Sequence, residues 1–220
     1  MTDAVDKFNR SVRTYVHPQT YPVGIRFLRG AEALPEAAKL PGDFGAPLSL
    51  CQGISLARYC GHVVALQGEG QACPVADAVL CRSKTQAGGA LDAVVVAPLE
   101  RCSFAPDVVL CYGLPSQISL LVEASAGEHR QAASQCVVHS TCVGEVAETY
   151  REGCCNVFLP SAGERCLALT SDDELAFALP LSMLEQVADG LENSDTAERA
   201  GSSHKFSWSE DAELFPEYYS

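Results

Sequence analysis

The sequence is short of positive charge, of long apolar runs, and of every compact motif that names a chemistry by spacing alone. Fifteen Lys and Arg stand against 28 Asp and Glu, a formal net charge of −13. A chain so acidic repels phosphate backbones and anionic lipid, so nucleic acid and membrane are not expected as partners. The apolar runs, such as residues 93–99, fall far short of the ~20 residues that a membrane-spanning helix needs. No secretory leader pattern opens the chain, which points to a cytoplasmic protein. There is no C-x-x-C, no H-x-x-x-H or H-E-x-x-H, no G-x-G-x-x-G, no Walker loop and no G-x-S-x-G. Local zinc motifs, nucleotide loops and hydrolase elbows therefore have no support.

What is present is core material and sulfur. At 220 residues and 47% hydrophobic, the chain is expected to form one domain with a substantial core. Eleven residues are Cys. A chain this long needs no disulfide framework, and in a reducing compartment thiols are the default.

Phe8, Val12 and Val16 at spacing four predict a short amphipathic helix that Pro18 ends. Residues 21–28 read as a strand and 30–47 mostly as loop. Leu50, Ile54 and Ala57 predict a helix that Gly61 stops, and a short strand follows over 62–66. Residues 93–99 and 108–111 read as buried strands around a turn at Pro106 and Asp107. Pro115 opens a helix through Ile118 and Leu121. A strand over 135–139, a helix over 143–150, and two strands over 156–160 and 165–170, joined by a turn at 161–164, come next. An acidic run, Asp172, Asp173 and Glu174, precedes an apolar segment. Pro180 opens the last helix, with Leu184, Val187, Ala188 and Leu191 on one face. The expected fold is α+β or α/β, a mixed β-sheet with packed helices, as a single domain over residues 1–191 with an acidic C-terminal tail. That tail, residues 192–220, holds seven acidic and two basic residues, yet also Phe206, Trp208, Phe215, Tyr218 and Tyr219. Disordered tails are poor in aromatics, so it is expected to dock on the domain or on a partner protein.

Cys73 and Cys142 fall just before helical patterns, Cys73 ahead of Pro74 and Cys142 three residues ahead of Glu145; Cys51 sits near the start of the helix over 50–59. A helix N-terminus presents unpaired amides and about half a positive charge, which favours a thiolate. Thiolates brought together from such positions suit an iron-sulfur cluster, and zinc is the alternative cofactor. Cys60, Cys81, Cys102, Cys111, Cys136 and Cys166 lie in or beside apolar runs and are expected to be core or incidental. The acidic run reads as a solvated turn or cap more than as a general base. Arg165, beside Glu164, suits a carboxylate, a phosphate or a structural ion pair.

Pro22-Val23-Gly24-Ile25-Arg26-Phe27, Cys51, Ala72-Cys73-Pro74, Val94-Val95-Val96-Ala97-Pro98-Leu99 and Phe104-Ala105-Pro106-Asp107-Val108-Val109-Leu110 come in an order that resembles DUF169, an uncharacterised family of bacterial and archaeal proteins. Gly113-x-Pro115-x-Gln117, Cys142, Leu159-Pro160, Gly163-x-Arg165 and Asp172-Asp173-Glu174-Leu175 continue the pattern. The resemblance implies cysteines at the positions of Cys51, Cys73 and Cys142. It also implies a fourth after Leu-Pro, where this chain has Ser161. The expected function is that of an iron-sulfur protein of [4Fe-4S] type with redox or lyase-type chemistry. Ser161, Cys155, solvent or substrate would fill the fourth position, and Gln117 and Arg165 would orient a small anionic substrate. The rival is a non-catalytic accessory or binding protein whose cysteines are core or hold zinc.

Overall fold

The computed structural model describes residues 3–30, 32–67, 91–126, 136–137 and 146–193. Seven strands form one sheet: β1 (Val23–Arg29), β2 (Val64–Gln67), β3 (Leu91–Pro98), β4 (Val108–Gly113), β5 (Cys136–Val137), β6 (Asn156–Phe158) and β7 (Leu175–Pro180). Their spatial order is β2-β3-β1-β4-β7-β6-β5. All neighbours are antiparallel except β5 and β6, which are parallel.

Both faces of the sheet are covered, which is why its strands read as nearly unbroken apolar runs. On one face Ile25, Val64, Val96, Leu110, Ala176 and Phe158 pack with Leu50, Ile54 and Ala57 of helix α2 (Leu50–Cys60). On the other, Val95, Val109, Phe177 and Leu179 pack against three helices: α1 (Asp3–Ser11), α3 (Pro115–Ala126) and α6 (Leu184–Asn193). Period-2 alternation sends successive residues of each strand to opposite layers, and each fully buried large apolar side chain contributes about 1.5–3 kcal/mol. The fold is thus a mixed α+β single domain, as expected.

Local signals explain most boundaries. The first helix continues as a wider π-type turn through Val16 and ends at His17, whose φ of 52° is left-handed, just before Pro18. Helix α2 begins with a reciprocal cap, the Gln52 amide donating to Ser49 Oγ at 3.2 Å and the Ser49 amide to Gln52 Oε1 at 2.8 Å. It ends at Gly61, φ 69°. At Gly190 a Cβ would lie 2.4 Å from the Ala124 carbonyl oxygen, so α3 and α6 owe their close approach to that glycine.

Two expectations are corrected. Residues 162–167 form helix α5 (Ala162–Leu167), not the strand expected over 165–170. Ser161 and Glu164, expected as a turn, make a capping box, with the Ser161 amide donating to Glu164 Oε2 at 2.9 Å. The apolar segment after the acidic run is strand β7, central between β4 and β6. The helix expected over 143–150 is described from Val146 onward, ending with α4 (Thr149–Glu152). Helix α6 runs to Asn193, two residues past the expected boundary. Ser11 Oγ donates to Glu192 Oε1 at 2.8 Å, Lys7 pairs with Asp189, and the rest of the tail lies outside the described residues.

Candidate functional site

The candidate residues gather at the two ends of helix α2. At its start, Cys51 is the second helical residue, in a first turn with no acidic side chain to offset the amide dipoles. It is 7% exposed and belongs to the α2-side apolar layer. The first turns of α2 lie over the end of β2: a Cβ at Gly53 would be 3.5 Å from Leu66 Cδ1. From that end the chain departs after Gln67, and it re-enters the sheet at Leu91. The helical turn beginning at Val146 packs in the same layer, Tyr150 meeting Phe27 edge to face with centroids 4.9 Å apart. Cys73 and Cys142 lie outside the described residues, in the stretches between these points. Among the described residues, no group of three or more His, Cys, Asp or Glu surrounds a common metal position.

The structure separates several of the other expected contributors. Cys155 sits in the opposite apolar layer, its sulfur 3.5 Å from Met183 Sδ, so the sheet stands between it and Cys51. Burial pushes its thiol up to about 12. Ser161 spends its hydroxyl as the cap of α5, accepting from the Glu164 amide. Cys102 and Cys111 are buried as expected, and burial pushes both thiols up to about 12. Cys102 fills the space at Gly24, where a Cβ would come within 2.6 Å of its sulfur. Cys60 and Cys166, expected to be core or incidental, are exposed, because each falls off the buried stripe of its helix. Cys136 lies in β5, and Cys81 is outside the described residues.

Gln117 and Arg165 are held on helices that pack against opposite faces of the sheet, and the structure does not bring them together. Gln117 Oε1 accepts from the Leu114 amide at 2.8 Å, and its Nε2 donates to the carbonyls of Val16 at 3.1 Å and His17 at 2.8 Å. Arg165 Nη1 donates to the Ser171 carbonyl at 2.9 Å and pairs with Asp172 at 3.1 Å. Arg165 thereby fixes the turn before β7, and Gln117 fixes the turn at His17, which lines a cleft.

That cleft, of about 480 Å³, opens at the far end of α2 and is lined by His17, Thr20, Arg58, Tyr59, Arg13 and Glu100 among others. Arg58 is its buried anchor. Its Nη2 pairs with Glu174 Oε1 at 2.7 Å, Nε donates to Thr20 Oγ1 at 3.2 Å, and Nη1 reaches the Ala168 carbonyl at 3.5 Å. The guanidinium lies 3.8 Å from the centroid of the Tyr112 ring, a stacked cation–π contact. Glu174 Oε2 accepts from the Ser171 amide at 2.9 Å, so the third residue of the acidic run is a buried ion-pair partner while Asp172 is on the surface. Tyr59 donates its hydroxyl to the Leu169 carbonyl at 2.7 Å; burial raises its pKa above the ordinary tyrosine value, with Arg58 opposing.

Sequence reasoning missed Arg58. The signal was its spacing: it stands four residues after Ile54 and eight after Leu50, on the stripe that α2 buries, and a charge there demands a buried partner.

No curated protein and no solved structure matches the chain. Two overlapping stretches, residues 11–87 and 81–190, match the model of DUF169, described as uncharacterised ArCR. With most of its length covered, and with the domain built from those same residues, the chain belongs to the DUF169 family.

Proposed function

We propose that the protein binds an iron-sulfur cluster of [4Fe-4S] type through Cys51, Cys73 and Cys142, with the fourth position open to solvent or a small anionic substrate. The observation that carries this reading is the setting of Cys51, a thiol on the first turn of a capped helix that has no acidic side chain in that turn. Amides at a helix start favour a thiolate and can donate to cluster sulfur. The path of the chain supports it as well. The stretch that contains Cys73 leaves and rejoins the sheet beside the start of α2. The stretch that contains Cys142 leads into Val146, in the same apolar layer as Cys51. A bound cluster with one iron free of protein sulfur supplies Lewis-acid or redox chemistry. The protein's part is to hold the three sulfurs and to keep water from that layer.

Anaerobic purification followed by iron, sulfide and zinc analysis tests the reading. A brown protein with iron and acid-labile sulfide, both lost in the Cys51→Ser, Cys73→Ser, Cys142→Ser triple variant, is the expected result. A colourless chain holding stoichiometric zinc, or one with no metal after anaerobic reconstitution, overturns it.

A further inference from the structure

Three of the four large apolar side chains that stand exposed among the described residues lie together: Tyr59, Leu167 and Leu169, at 45%, 38% and 57% exposure. They are built into place. Leu169 has a φ of 55°, a left-handed conformation that costs a leucine roughly 1 kcal/mol. It is held there by the Tyr59 hydroxyl on its own carbonyl, by Arg58 on the carbonyl before it, and by Arg165 on the Ser171 carbonyl. Bonds that fix a leucine outward make a rigid apolar platform at the lip of the cleft, since Tyr59 belongs to both.

The chain carries an occupant for it. Phe206, Trp208, Phe215, Tyr218 and Tyr219 fall within the last fifteen residues, among Glu210, Asp211, Glu213 and Glu217. The domain ends at Asn193 on a helix whose Glu192 is bonded to Ser11, two residues from the cleft-lining Asn9 and Arg13. The twelve residues between Asn193 and Phe206 can span about 40 Å, the breadth of a domain this size. Arg13, which lines the cleft beside Tyr59 with a side chain 64% exposed, and Arg165, two residues before Leu167, each hold one surface carboxylate, Glu100 and Asp172, and offer their remaining donors to the acidic residues between the aromatics. We propose that the segment 206–219 of this same chain docks on the Tyr59, Leu167 and Leu169 platform. The proposal is independent of any cluster at Cys51, which lies at the other end of α2.

Trp208 is the only tryptophan, so its fluorescence in the full-length chain reports the contact. Docking predicts a blue-shifted emission and weak acrylamide quenching, independent of protein concentration. Leu169→Asp and, separately, Leu167→Asp should shift the emission red and raise quenching severalfold. Both positions are exposed, and aspartate tolerates the left-handed backbone at 169 better than leucine, so far-UV circular dichroism should stay unchanged. A Trp208 that is fully quenched in the parent chain overturns the proposal. So does a shielded Trp208 that neither substitution releases, or shielding that vanishes on dilution, which would place the segment on a second copy.

Discussion

Removing the carboxylate of Glu174 should damage this fold severely, because it strands a buried charge. Arg58 has a side chain with 0% exposure and Glu174 one with 10%, so neither group can recover hydration by a small movement. In Glu174→Ala the guanidinium keeps Thr20 Oγ1, a long contact to the Ala168 carbonyl and the face of Tyr112. It loses the only counter-charge that the described residues give it, and a guanidinium cannot discard its proton. The Ser171 amide loses its acceptor at the same time. Breaking a buried pair by removing one partner costs about 3–5 kcal/mol, a large share of the roughly 5–15 kcal/mol that holds a domain together. For a domain of this size that corresponds to a drop in Tm of roughly 6–20 °C. Urea denaturation followed by circular dichroism at neutral pH measures it. The double variant Arg58→Met, Glu174→Leu should recover most of the loss, because apolar replacement of both partners is often near neutral. A Glu174→Ala variant that loses under about 1 kcal/mol would mean that the pair behaves like a solvated surface contact, and the burial argument would be wrong.

Gly190→Ala should destabilise the α3–α6 contact by about 1–3 kcal/mol, since the obstructing atoms are backbone and cannot swing away; an unchanged urea midpoint would refute the close packing. A thiol reagent at pH 8 should label Cys60 and Cys166 in the native protein and leave Cys102, Cys111 and Cys155 unlabelled until denaturant is added. A thiol at about 12 is ionised there on the order of one part in ten thousand, and labelling should rise with pH; peptide mass mapping that finds native Cys111 modified at pH 8 contradicts it. Gln117→Ala removes three hydrogen bonds to backbone, and amide exchange at His17, whose N–H bonds the Val12 carbonyl, should accelerate; an unaltered rate would show that the turn holds without it.

The elements with local punctuation were legible in the sequence: Pro18 and Gly61 end helices, and the β-branched runs of β1, β3 and β4 form strands. Strand β7 was not, because Leu-Ala-Phe-Ala-Leu favours a helix as readily as a strand, and it is extended only because β4 and β6 flank it on both sides. The run at 165–170 looked β-rich while the Ser161 and Glu164 box three positions apart was fixing a helix start instead. At the candidate site, the helix-start position of Cys51 was visible in the pattern. The Arg58 and Glu174 pair was not, since 116 residues separate its members and only the tertiary fold makes them neighbours. The same holds for Cys51 and Cys155, whose separation depends on which face of the sheet α2 covers and on how the chain enters β6.

The placement of β1 has a bearing on how the molecule is made. Of the seven described strands, the one that leaves the ribosome first ends up in the interior of the sheet, between β3 and β4. Its partners begin at residues 91 and 108, so a nascent chain carries Val23, Ile25 and Phe27 without a neighbour through more than sixty residues of further synthesis. The sheet cannot zip outward from its N-terminal end, and its closing strand, β7, enters between β4 and β6 only once residue 180 has emerged. Long-range pairing of this kind folds slowly and leaves apolar edges open to other chains in the meantime. Aggregation during expression, more than instability of the finished domain, is therefore the hazard this topology sets.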